Sequence, residues 1–80
     1  MENKEVFIIV LDVRRSGFGF NWSMGSTLKE ARAKYKKLHG YYPTLDASIV
    51  ALECDKGGLP YVNEEAQLHL PSGSKVIKVN

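Results

Sequence analysis

One cysteine in eighty residues, Cys54, excludes an internal disulfide and any zinc site built from cysteines, and it suits a reducing compartment. Histidine is nearly as scarce. His39 and His69 have no acid or cysteine at ligand spacing, so neither a metal nor a cofactor is expected. Long apolar runs are missing too. The longest, Val6 to Leu11, has six residues, too short to span a bilayer, and no small-residue cleavage site follows it. A cytoplasmic protein with no membrane partner is the resulting expectation. Catalytic groupings are also absent. Cys54 has no His beside it, and Glu64-Glu65 has no second, separated carboxylate. Gly17-Phe18-Gly19 and Gly57-Gly58 lack the strand–loop–helix setting and the Lys-Ser/Thr of a phosphate loop. The sequence reads as no enzyme.

What is present is ordinary for a small globular chain: 44% hydrophobic and 25% charged residues, enough for a single domain over 1–80 and too apolar for disorder. The net charge of +2 says little, but its distribution is uneven. Between Ser26 and Gly40 stand Lys29, Arg32, Lys34, Lys36 and Lys37 against one acid, Glu30, a local charge of +4. The other six basic and eight acidic residues leave the rest at −2.

Hydrophobic period assigns the elements. Val6 to Val13 is apolar on both alternating sets, broken only by Asp12, and predicts a central strand. Ser16-Gly17 is a tight-turn signal. From Phe18 to Met24 the large side chains Phe18, Phe20, Trp22 and Met24 alternate with Gly19, Asn21 and Ser23. Period two predicts a hairpin partner with an aromatic inner face and a wet face of small residues. Thr27 and Glu30 form a capping box, and Leu28, Ala31, Tyr35 and Leu38 recur at helical spacing as the stripe that packs on the sheet. Gly40 supplies a left-handed C-cap, and Pro43 forbids continuation. A third strand follows over Ala47 to Cys54, with Cys54 inward and Ala47 and Ala51 as points of close helix approach. After a turn at Asp55 to Gly58, Leu59 to Val62 returns as an edge strand containing Pro60, a possible dimerising edge. A last short pair, Gln67 to Leu70 and Lys75 to Val79, turns at Pro71-Ser72-Gly73. The order β-β-α-β-β(-β-β) predicts an α+β domain of two layers, an antiparallel sheet of four to five strands on one helix.

The candidate site is the helix flank. With Leu28 at zero, Arg32, Lys36 and Lys29 fall at roughly 40°, 80° and 100°, so three cations project from one side. They can meet phosphates or an acidic protein surface, or simply form a solvated face supported by a Glu30–Lys34 pair and the helix dipole. Arg14-Arg15, at the end of the first strand, extends the basic surface or keeps a strand end wet. Tyr41 and Tyr42, in the loop after the helix, anchor an interface or close one end of the sheet.

This arrangement resembles that of several small phage-encoded proteins, including some anti-CRISPR proteins. Those pair an N-terminal strand hairpin with one Lys- and Arg-bearing helix and a C-terminal antiparallel sheet. The likeness is one of size and element order and carries no residue across. It implies a stoichiometric inhibitor of a host protein or nucleoprotein, monomeric or homodimeric, acting by occlusion. Direct nucleic-acid binding by the same helix is the alternative.

Overall fold

A computed structural model describes residues 4–13 and 19–80. Arg14, Arg15, the Ser16-Gly17 turn and Phe18 lie outside the described residues. The fold is α+β: an antiparallel sheet and, among the described residues, one helix. Strands β1 (Lys4–Val13) and β2 (Phe20–Gly25) precede helix α1 (Leu28–His39). Then come β3 (Ser48–Asp55), β4 (Tyr61–Val62), β5 (Leu68–His69) and β6 (Lys75–Val79). The main sheet runs β2-β1-β3-β6, every pair antiparallel, while β4 and β5 make a separate two-stranded ribbon.

β1 lies between β2 and β3 because it is apolar on both faces. Ile9 and Val10, adjacent in sequence and pointing to opposite sides, are both 1% exposed. On one side Val10 joins Ala31 and Tyr35 of the helix, with Ile8, Ala47 and Ile49 packed around them. On the other, Ile9, Leu52 and Cys54 meet Val62 of the ribbon, flanked by Phe7, Leu11, Phe20, Trp22, Met24, Val50 and Leu68. Each large side chain buried in these clusters contributes about 1.5–3 kcal/mol.

β2 keeps its aromatic face packed on the core, as its alternation predicts, but the face of small residues is covered too and not wet. The aromatic set turns away from the helix, and the small residues lie beneath it. Ser23 is 2% exposed and donates from Oγ to the Ala31 carbonyl at 2.6 Å. A Cβ on Gly25 would fall 2.6 Å from Ala31 N, so the helix backbone approaches here and not at Ala47 or Ala51. Alternation marks two different faces but does not say which one the helix covers. Here the close approach of a helix favours the small residues.

The helix stripe is also narrower than predicted. Ala31 and Tyr35 are fully buried, but Leu28 is 40% and Leu38 68% exposed. The helix lies over β2, an edge strand, so its last turn overhangs the sheet. Its C-terminal end matches the sequence, while at its N-terminus only the Thr27 half of the predicted capping box forms. Thr27 Oγ1 accepts from Glu30 N at 3.1 Å, Gly40 is left-handed at φ 84°, and Gly40 N donates to the Lys36 carbonyl at 2.7 Å. Glu30's carboxylate goes forward to Lys34 Nζ at 3.3 Å.

The C-terminal third pairs differently from the predicted hairpins. β4 pairs with β5 around Asn63, whose Oδ1 accepts from Glu65 N and Gln67 N, each at 2.9 Å. The chain then returns so that β6 pairs with β3. Pro60 is fully buried, and β4, which follows it, pairs among the described residues only with β5. β4 is thus an edge strand as predicted, of the ribbon and not of the main sheet.

Candidate functional site

Asp12 is the origin of the site. This carboxylate interrupts an apolar strand and is 2% exposed, so it needs donors on several sides. Its Oδ2 accepts from Tyr35 Oη at 3.1 Å and from Thr44 N at 3.1 Å, and its Oδ1 from Thr44 Oγ1 at 3.0 Å. One buried acid thus ties the helix and the loop after it to β1. The loop is held against the helix, and the two tyrosines on it are sent to different places.

Tyr41 turns toward the sheet. Its ring stands edge-on to that of Tyr35 at 6.1 Å between centroids, and its hydroxyl accepts from Asn21 Nδ2 at 2.8 Å. It closes one end of the sheet. Tyr42, 51% exposed, turns to the basic flank. Lys36 Nζ stands 4.8 Å and Arg32 Cζ 5.6 Å from its ring centroid, both within the range of cation–π attraction. Lys29, Arg32, Leu28, Ala33 and Tyr42 line a shallow concavity of about 420 Å³. The predicted group Lys29, Arg32, Lys36 and Tyr42 therefore comes together on one surface. Tyr41, itself exposed, stands apart from it against Tyr35 and Asn21, and Arg14 and Arg15 lie outside the described residues.

The electrostatics of the flank are one-sided. The helix's acid, Glu30, is engaged with Lys34 on the other side, so no carboxylate of α1 neutralises Lys29, Arg32 or Lys36. Holding two cations against one ring fixes them without discharging them. The result is a partly ordered positive surface with an aromatic centre and an aliphatic rim.

The remaining chemistry-bearing residues have structural partners. His39 packs edge-on to Tyr35 with centroids 4.6 Å apart, and its Nε2 lies 3.3 Å from the Trp22 carbonyl oxygen. His69 stacks on Tyr61 at 4.9 Å, with Asn63 Nδ2 2.9 Å from its Nε2. Cys54 is fully buried; burial first, then the nearby carboxylates of Asp55 and Glu5, push its thiol pKa up, against a smaller opposing effect of Lys4. A protonated thiol without access is a poor nucleophile. Among the described residues no three His, Cys, Asp or Glu side chains converge as a metal site. No helix among them is long and apolar enough to cross a membrane.

Sequence reasoning did not identify Asp12 as the residue that positions Tyr42. The available signal was a lone acid inside an otherwise apolar strand, which must find buried donors. No family model, curated protein or solved structure matches the chain.

Proposed function

We propose that this chain is a small non-enzymatic binding module whose Lys29–Arg32–Lys36 flank, centred on Tyr42, engages an acidic surface on a protein or nucleoprotein. The observation that carries the reading is the pair of cations held over the exposed Tyr42 ring. A merely solvated face needs no such order, whereas an interface gains from side chains fixed before contact, because less rotamer entropy is lost on binding. Aromatic and arginine side chains are also the usual anchors of interfaces. A small inhibitor that occludes its target, as in the phage-encoded proteins of similar layout, would use a surface of this kind.

Direct nucleic-acid binding by the same flank is the second reading, supported by the same three cations. The ring of Tyr42 is engaged by the chain's own Arg32 and Lys36, which favours a protein partner over base stacking. Capture from lysate at two salt concentrations, with wild type and with Lys29, Arg32 and Lys36 all changed to Glu, separates the readings. A dominant protein held at the higher salt and lost with the triple variant is expected. Capture unchanged by the triple variant would reject the surface. Retention on duplex DNA that collapses steeply with salt would favour the second reading.

A further inference from the structure

Among the described residues the two outer strands of the main sheet, β2 and β6, each pair on one side only, and they are built in different ways. β6 carries Lys75 and Lys78, and its register with β3 shifts between Ala51 and Leu52. Charge and irregularity of this kind discourage strand addition. β2 reads Phe20-Asn21-Trp22-Ser23-Met24-Gly25, with no charge, no proline and an unbroken register against β1.

Parity decides which of its peptide groups face outward. Ile49 and Asn80 exchange both backbone bonds, at 3.1 and 2.7 Å, so Ile49 faces β6 and Val50 faces β1. Val50 lies opposite Ile9, so Val10 faces β2, where it meets Ser23. Trp22 and Met24 therefore direct N–H and C=O away from β1. The approach of His39 Nε2 to the Trp22 carbonyl agrees independently. An incoming strand shares or displaces that contact, and the Trp22 N–H and both Met24 groups are the ones it pairs with. Alongside runs a groove of about 540 Å³, lined by the edge of Phe20, Asn21, Trp22, Ser23 and Met24 and by Leu38 and His39 of the helix, most of it apolar. The exposed Leu38 forms its helical wall.

We infer that this groove is a strand-addition site for an extended, uncharged segment of another protein, with apolar side chains at alternate positions. The outward peptide groups call for a strand, and the apolar lining calls for alternate apolar side chains. None of the residues that line the groove is an Asp, Glu, Lys or Arg, so a charge buried there would lack a counter-ion among them. A second copy does not fit. Pairing β2 with β2 sets strands about 4.8 Å apart. Both helices sit over that strand, through Gly25 and Ser23, and would be forced closer than the about 8–10 Å that packed helices require. The β6 edge of a second copy would bring Lys75 or Lys78 to the groove. This site is separate from the Tyr42 flank and stands without it.

The test is selection of random displayed short peptides on the immobilised full chain, followed by amide chemical shifts of the complex. Enriched peptides should alternate apolar with uncharged polar residues and move the Trp22 and Met24 amides. Met24→Pro, which removes one outward N–H at an edge, should weaken them about tenfold, and so should Leu38→Glu at its exposed position. Circular dichroism identifies a variant that fails to fold; if Met24→Pro does, Leu38→Glu carries the test. Three results would overturn the inference: no enrichment, shifts at the Lys29–Tyr42 flank instead, or affinity unchanged in the folded variants. Self-association of the free chain through the same amides would overturn the choice of occupant.

Discussion

At the scale of single residues, two small positions decide the packing. Gly25 and Ser23 let the helix backbone settle on β2, Gly25 by having no Cβ and Ser23 by bonding the Ala31 carbonyl. Gly25→Ala puts a methyl 2.6 Å from a backbone nitrogen, and backbone cannot swing aside as a side chain can. The substitution should cost about 1–3 kcal/mol, the range for overpacked sites, read as a lower urea midpoint with an unchanged slope. An unchanged midpoint would mean that the helix does not sit where described. Asp12 acts in the opposite way, as a polar group that must stay. Removing its carboxylate takes an acceptor from the buried Tyr35 hydroxyl and from the part-buried Thr44 amide.

At the scale of elements, that loss reaches the candidate site. Thr44 anchors the loop that carries Tyr42, so Asp12→Ala should destabilise the fold by about 3 kcal/mol, the upper range for orphaned donors. It should also release Tyr42 from Arg32 and Lys36, seen as loss of ring-current shifts on the two cationic side chains. A destabilised variant that keeps those shifts would contradict the link. Much at this scale was legible in the sequence. The helix could be bounded because Thr27, Gly40 and Pro43 act locally, β1 because it is a long, mostly β-branched apolar run, and β3 because Ile49 to Leu52 is apolar and ends at the Asp55–Gly58 turn. The aromatic face of β2 was legible as core, but the face under the helix was not, since it depends on how closely the helix approaches and not on period. Pairing of the last strands was equally hidden. The turn residues at Asp55 to Gly58 and Pro71 to Gly73 signal reversals, but not that β6 returns to β3 while β4 and β5 pair with each other. Lys29, Arg32 and Lys36 were legible as a flank by angle alone. The separation of Tyr42 from Tyr41 was not, because it follows from the tie between Asp12 and Thr44, thirty-two residues apart.

At the scale of the whole molecule, the helix covers the β2 side of one sheet face, and the ribbon packs on the other face. The two proposed surfaces then lie on opposite flanks of α1: cations and Tyr42 on one, the uncharged β2 edge with Leu38 on the other. One carries charge and favours encounter; the other offers hydrogen bonds and apolar contact without charge. The central claim concerns the first. A photo-crosslinking amino acid at Ala33, an exposed position within the Tyr42 concavity, tests it most directly, with Glu64 on the ribbon turn as the control position. On irradiation in a lysate of the cells that make the chain, Ala33 should yield one dominant protein adduct, absent from Glu64. That adduct should disappear when Arg32 and Lys36 are changed to Glu. Equal labelling from both positions, or an adduct that survives the charge reversal, would contradict the account.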